Sequence, residues 1–445
     1  MDSRGHATPD VLRPDVLSAV RDASTLARVG RVTEAFGTTI RVTGIEGRIG
    51  QLCDIVDAAG NQRLTAEIVG LSGGVAILTP LGPLQGLTGE AEVFVRADRG
   101  QVPVDEAMLG RVVDGHGQPL DGRGPLPADV AHRPIYAPAP NPLERTPIDQ
   151  RFETGVRAID LALTLGVGQR LGIFATAGVG KSTLLGMLAR HGAADVTVIA
   201  LVGERGREVR EFLDHCLGAH GLARAVVVVA TSDRPAMERV RAAHAATAIA
   251  EGFRAQGRRV LFLMDSVTRF ARALREIGLS VGEPPVRRGF PPSVFAELPR
   301  LFERTGNDAA GSITAFYTVL VEDEDGRDPI GEEVRSILDG HIVLTRKLAQ
   351  ANHYPAIALP DSVSRLFQHL TGPNQQAATA RLRAWLAKYA DVEFLIQVGE
   401  YQAGSDPLAD EAIAKWPQIN DLLRQPADTH ESFADALAKL QALAA

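Results

Sequence analysis

Hydrophobic and polar positions change register several times along this chain, and each change predicts a different architecture. Short β-rich runs at 29–36, 38–42, 64–69, 75–78 and 92–95 are separated by glycines. Many short strands with turn signals at this spacing predict a small barrel, which reads as a structural cap or collar without catalytic chemistry. Ahead of it, residues 1–24 mix Pro9 and Pro14 with a weak apolar pattern at Val16, Leu17 and Val20, suited to a short helix. Eight prolines then fall between Pro119 and Pro147, with Gly115, Gly117, Gly122 and Gly124 just before or among them. Such density excludes regular helix and central strand, so an extended segment over the surface of the next domain is expected. A helical pattern begins at 154–160. Apolar runs follow at 172–175, 196–202, 226–230, 260–264 and 312–321, mostly with helical text between them. That alternation predicts a parallel sheet covered on both faces. From Gln375 onward the pattern is helical, with Leu382, Trp385 and Leu386 on one face, a second helix at 408–423 interrupted at Trp416-Pro417, and a short amphipathic helix within 431–445. The expected domains are 1–98, 99–365 with its proline-rich lead-in at 115–147, and 366–445.

Composition narrows the function classes. With 445 residues, 45% of them hydrophobic, there is enough chain for two or three cored domains. A formal charge of −7 and the lack of an aromatic-basic stripe argue against nucleic acid as a partner. Cys53 and Cys216 lie far apart, without metal-ligand spacing, and read as buried structural thiols of a reducing compartment. No apolar run approaches ~20 residues and the first residues lack a signal-peptide profile, so a cytoplasmic location is expected, with docking on a membrane complex left open.

The chemistry gathers around one stretch, Leu-Gly-Ile-Phe-Ala-Thr-Ala-Gly-Val-Gly-Lys-Ser-Thr-Leu-Leu from Leu171 to Leu185. It reads strand, glycine-containing turn, helix. This is the order of a P-loop, whose backbone N–H groups and helix dipole cradle phosphates. Thr176, Ala177, Gly178, Val179, Gly180, Lys181, Ser182 and Thr183 would form the cradle, Lys181 reaching the β- and γ-phosphates and Ser182 holding Mg²⁺. The strict spacing asks for glycine where this chain has Ala175. Two acids end apolar runs and are therefore expected in the same crevice, outside the carboxyl ends of the strands. Asp265 follows Leu261-Phe262-Leu263-Met264 and suits the outer-shell holder of Mg²⁺. Glu204, in Gly203-Glu204-Arg205-Gly206-Arg207-Glu208-Val209, suits the group that polarises the attacking water; its alternative is a carboxylate complementing a helix dipole.

With these residues placed, the chain resembles the rotary and protein-export P-loop ATPases: the ATP synthase catalytic subunit, the flagellar export ATPase and the ATPase of the type III secretion injectisome. The likeness covers nearly the whole chain, including 203–209, 265–270, Asp339-Gly340-His341-Ile342-Val343-Leu344, Tyr354-Pro355-Ala356-Ile357 and Ser362-Val363-Ser364-Arg365. Gly399-Glu400-Tyr401-Gln402-Ala403-Gly404-Ser405-Asp406 is closer to the injectisome branch than to the flagellar one, which differs at Glu400 and Gln402. The resemblance implies an α/β fold with a RecA-like P-loop parallel-sheet core, an N-terminal β-barrel and a C-terminal helical domain. It further implies a homohexamer that hydrolyses MgATP and couples it to unfolding or chaperone release of secreted proteins. By the same resemblance Arg365 is the arginine finger serving the neighbouring subunit's nucleotide, Arg205 a γ-phosphate contact and Tyr354 the aromatic that stacks on adenine. The implied partners are a central coiled-coil stalk, a peripheral stator or regulator, and chaperone–effector complexes met by the helical domain, at the inner face of a bacterial membrane. The run 276–290, with Arg287 and Arg288, is expected to resist regular structure; the resemblance implies that it faces the stalk channel, and its alternative is a solvated surface loop. Alternatives are a flagellar export ATPase, a rotary F- or V-type subunit, a hexameric nucleic-acid translocase and a noncatalytic nucleotide-binding scaffold.

Overall fold

Six antiparallel strands close on themselves in the amino-terminal unit: β1 (Val29–Phe36), β2 (Thr39–Thr43), β3 (Leu52–Val56), β4 (Arg63–Ser72), β5 (Val75–Pro80) and β6 (Glu92–Val95), in the order β1-β2-β5-β4-β3-β6. The computed structural model describes residues 28–57, 63–96, 100–321 and 328–445, so the short helix expected within 1–24 lies outside the described residues. Inward residues such as Ile40, Val42, Ile55, Ile68, Leu78 and Val93 fill the barrel, as closure of a half-buried sheet requires. β3 escapes a hydrophobicity scan because Asp54 sits in its middle. That carboxylate is nevertheless buried, taking Arg63 at 2.6 Å from the neighbouring strand.

The chain divides into two compact units, 1–97 and 98–445. In the second, the lead-in is extended, as expected. β7 (Gln101–Pro103) pairs with β9 (His132–Pro134), and β8 (Val112–Val113) joins the edge of the main sheet beside Val227 and Val228. Arg111 and Asp121 hold this edge together through two hydrogen bonds of 2.7 and 3.0 Å, which depress the Asp121 carboxyl well below the usual carboxylate range. β10 (Arg151–Phe152) and β11 (Leu165–Gly166) flank α1 (Arg157–Ala162).

The main sheet is built from β12 (Arg170–Ala175), β13 (Val196–Glu204), β14 (Ala225–Thr231), β15 (Arg259–Asp265), β17 (Ser312–Leu320), β18 (Gly340–Leu344) and β19 (Val363–Ser364), with β16 (Gly306–Asn307) pairing off β17. Its order is β19-β18-β12-β17-β15-β13-β14-β8, and the pairings from β18 through β8 are parallel. Helices connect these strands: α2 (Lys181–His191), α3 (Gly206–Glu211), α4 (Gly218–Ala223), α5 (Ala236–Ala255), α6 (Val267–Ser280), α7 (Pro292–Phe302) and α8 (Pro329–Ile337), with a π-helical turn over Phe212–Leu217 between α3 and α4. Strand interiors such as Val198, Leu201, Leu263 and Phe316 are buried, the continuous apolar signature of a parallel sheet covered on both faces. α6 runs to Ser280, further than the glycines of 276–290 suggest. Gly278 is accommodated in it because its missing side chain lets Pro291 pack against the helix.

Five more helices follow: α9 (Arg346–Gln350), α10 (Phe367–Leu370), α11 (Pro373–Gln397), α12 (Pro407–Leu423) and α13 (Phe433–Ala444). Leu382 and Trp385 of α11 and Leu440 of α13 join the core that also contains Ile159 and Leu161 of α1. Contrary to the expected interruption, α12 continues through Pro417. Pro417 lies on the exposed side, so the carbonyl left without its helical partner can meet water. Cys53 is buried, but Cys216 is half-buried on the π-helical turn. No helix among the described residues is long and apolar enough to cross a membrane.

Candidate nucleotide site

β12 delivers the chain into the turn from the middle of the sheet. Ala175, at the place of the missing glycine, is the last residue of this strand and pairs with Leu320 on one side and Leu344 on the other. A regular extended position between two strands makes no demand for glycine, so the alanine costs the loop nothing. The demand falls instead on Gly178 and Gly180, with φ of 80° and 87°, a region that disfavours side chains bearing a Cβ. Gly180 caps α2 without a side-chain acceptor, and the first intrahelical bond is Leu184 N–H to the Gly180 carbonyl at 3.0 Å. The amino end of α2 therefore presents its first N–H groups and its positive dipole end to the turn.

Two buried acids meet the lysine that starts this helix. β13 ends at Glu204 and β15 at Asp265, and the parallel register carries both ends to the side of the sheet where β12 ends. Lys181 Nζ makes a close ion pair with Asp265 Oδ1 and lies 3.5 Å from Glu204 Oε1. Asp265 Oδ1 also accepts from the Thr318 hydroxyl at 2.7 Å, and Glu204 Oε2 lies 3.2 Å from the Arg269 guanidinium. Burial, and then the neighbouring Asp265 charge, push the Glu204 carboxyl up to about 7, against the pull of Lys181. These groups line a cavity of about 340 Å³ together with Thr176, Gly178, Gly180, Ser182, Thr183 and Arg205.

The other candidates fall in different places. Ser182, Thr183, Ala177 and Gly178 are exposed at the mouth, while the Val179 side chain is buried and turned into the core, so it can offer the cavity its backbone alone. Thr176 Oγ1 is buried beside the cavity and has no hydrogen-bond partner among the described residues, as expected of a group awaiting a polar ligand. Tyr354 is part-exposed next to the P-loop, where its ring would lie 3.2 Å from a Cβ added at Gly180. Arg205 is exposed at the rim, 3.4 Å from Glu208. Arg365 lies away from this cavity, exposed just past β19, with its guanidinium donating to the Arg335 carbonyl at 3.2 Å.

A cradle of backbone donors, a lysine and two buried carboxylates suits a phosphate chain with its divalent cation. Among the described residues no group of His, Cys, Asp and Glu is large enough to enclose a metal alone. Ser182 and Asp265 fit instead as hard oxygen donors completed by phosphate and water, the way Mg²⁺ is usually held. Residues 155–364 match the ATP synthase alpha/beta family, nucleotide-binding domain, and 371–442 match the T3SS EscN ATPase C-terminal domain. The type 3 secretion system ATPase of Xanthomonas euvesicatoria is 54% identical over 94% of this chain and 95% of its own length.

This chain belongs to the type III secretion ATPase family. The flagellum-specific ATP synthase of Treponema pallidum is 48% identical over 96% of this chain and 95% of its own length. The fold agrees with the assembled ATPase EscN of the enteropathogenic E. coli type III secretion system, at a TM-score of 0.88 and 46% identity, covering 94% of this chain and all of that one. EscN in complex with its central stalk EscO agrees at a TM-score of 0.86 and 46% identity, with the same coverage. The expected α/β architecture with barrel, parallel sheet and helical carboxy-terminal region is therefore that of the family.

Arg269 and Thr318 were not assigned by motif reading. Arg269 lies in the quoted stretch 265–270, one turn into the helix after Asp265, so its spacing was available as a signal. Thr318 lies 53 residues from its partner, with nothing local to mark it.

Proposed function

We propose that this chain hydrolyses MgATP to drive type III protein secretion. The observation that carries the reading is the convergence of Lys181, Glu204 and Asp265 on one cavity at the amino end of α2. Residues 176–183 and Lys181 bind the triphosphate, Ser182 and Asp265 hold Mg²⁺, and Tyr354 stacks on the adenine. When bound, Mg²⁺ neutralises charge on the phosphate oxygens and fixes their orientation. Glu204 orients the attacking water and takes up its proton at a carboxylate whose affinity for protons is already raised towards neutrality. Arg205 contacts the γ-phosphate from the rim.

Arg365 supplies the remaining positive charge to a neighbouring copy. A guanidinium that leaves its own cavity alone but sits exposed at a sheet edge favours this arrangement. The functional unit is then a homohexamer, cytoplasmic and docked on the inner face of the bacterial membrane. It works with a central stalk, a peripheral stator or regulator and chaperone–effector complexes, releasing chaperones and unfolding effectors. The loop carrying Arg287 and Arg288 faces the stalk; Arg287 is held in it by Glu332 at 3.3 Å and Glu333 at 3.7 Å. The match at 371–442 and the greater identity to the Xanthomonas enzyme favour the injectisome over the flagellar system. Turnover per chain measured against protein concentration tests the reading. A rate that rises with assembly is expected, and a rate per chain that is independent of concentration across the monomer-to-ring transition would contradict it.

A further inference from the structure

β17 separates the P-loop strand from the Asp265 strand. Its register sets Thr318 opposite Ile173 of β12 and Tyr317 opposite Met264 of β15, so Thr318 is level with Asp265 at the end of the neighbouring strand. The Thr318 side chain is fully buried, and its hydroxyl donates to Asp265 Oδ1 at 2.7 Å. The same oxygen receives Lys181. Thr268, in the first turn of α6, accepts the Leu320 N–H at 2.9 Å and ties the end of β17 to the helix that starts just after Asp265. Both donors fall on Oδ1, leaving Oδ2 outside these contacts. They differ in what anchors them: Lys181 is a long flexible side chain on the P-loop helix, whereas a β-branched threonine in a strand has a stiff first torsion.

We propose that Thr318 is a positioning residue for the metal-side carboxylate. Its sheet-anchored hydroxyl keeps Asp265 in one orientation when Lys181 turns from the acids to the phosphates. The inference rests on the reading of Asp265 as the acid that holds Mg²⁺. Once Lys181 is engaged elsewhere, Oδ1 has lost its cation, and the Thr318 hydroxyl is the neighbour that still fixes it. Replacing that hydroxyl by a methyl group leaves a buried carboxylate oxygen without its fixed donor, a change that propagates to whatever the other oxygen coordinates.

The test compares full-length Thr318→Val, Thr318→Ser and Asp265→Asn with the unaltered chain. ATP turnover is titrated with free Mg²⁺, and Mn²⁺ binding is followed by loss of the free-ion EPR signal in the presence of a non-hydrolysable ATP analogue. Thr318→Val is expected to raise the Mg²⁺ concentration needed for half-maximal turnover and to weaken Mn²⁺ binding, each by about 10- to 100-fold, the usual cost of losing a hydrogen-bond partner of a metal-holding carboxylate. Excess metal should recover much of its kcat, and Thr318→Ser, which keeps the hydroxyl, should restore the metal dependence. Unchanged metal affinity in Thr318→Val overturns the proposal. So does an equal loss in Thr318→Ser, or a loss of kcat that is the same at limiting and saturating metal, because each points to packing. If Asp265→Asn binds Mn²⁺ as the unaltered chain does, the assignment of Asp265 itself fails, an outcome distinct from the failure of Thr318 alone.

Discussion

Glu204→Gln should separate binding from chemistry, and it should also leave a signature in stability. The carboxylate is buried beside Asp265, and its pKa rises from the ordinary 4.5 to about 7. Between these values the folded chain holds a proton that the unfolded chain has released, so stability falls as pH rises through this window. Ionising the group in its folded setting costs on the order of 3 kcal/mol, at 1.36 kcal/mol per pH unit. The Gln variant carries no such proton. Chemical denaturation of the nucleotide-free protein should therefore show Glu204→Gln gaining on the unaltered chain by up to ~3 kcal/mol between pH 5 and pH 8, most of it by pH 7.5. In the same preparation, ATP analogue binding should persist while multiple turnover drops by about 10² to 10⁴, the usual contribution of a general base. An unchanged stability difference across this pH range would refute the buried, raised carboxylate. Ordinary turnover by the variant would refute its catalytic assignment.

Other perturbations probe other parts of the molecule. Lys181→Ala should lose both nucleotide binding and turnover, seen by equilibrium binding and by phosphate release. Arg365→Ala should keep binding yet lose turnover by about 10³ to 10⁵, the range for an arginine finger. Mixing it with Lys181→Ala before assembly should recover part of the rate, and no recovery would speak against completion between copies. Tyr354→Ala should raise KM for ATP more than it lowers kcat, because base stacking contributes binding that is shared by ground and transition states. Arg304 and Glu251 form a bidentate buried pair with hydrogen bonds of 2.9 and 2.8 Å, so Arg304→Ala should destabilise the second unit by about 3 kcal/mol in denaturant, because Arg133, 3.5 Å from the same carboxylate, compensates it only in part.

How much could be read in advance follows from how local each signal is. The strands ending at Ala175, Glu204 and Asp265 announce themselves as apolar runs, and the rule that ligands collect at strand carboxyl ends then brings the lysine and both acids together. β3 was hidden by the buried Asp54, whose compensation lies on another strand. β8 is two residues long and is held as a strand by its neighbour β14 and by the Arg111–Asp121 pair, none of which can be seen in Val112-Val113 alone. Pro417 looks like a break because the sequence shows the lost N–H but not the solvent that receives the orphaned carbonyl. The same limit hid Thr318: a threonine in an apolar strand is ordinary until the fold puts a carboxylate opposite it.

Arg365 marks the point where a single chain stops being informative, and the sheet register explains why. Ser364 pairs with Gly340, His341 pairs with Gly172, and the Arg365 N–H donates to the Asp339 carbonyl while the Asp339 N–H donates to the Arg170 carbonyl. Arg365 is therefore level with the beginning of β12, whereas the P-loop leaves from its end at Ala175. At ~3.3 Å per residue the two are roughly 15 Å apart along the strand direction, with β18 intervening, beyond the reach of an arginine side chain. A guanidinium at that edge serves either its own surface or a site on another molecule. Its bond to the Arg335 carbonyl uses one part of a five-donor group, which leaves donors to offer across an interface. Under the proposed function, a chain that carries the lysine, both acids and this arginine has all the parts of a hydrolytic site but cannot assemble them alone, and a ring of identical copies would be the closed arrangement in which every copy receives what it gives.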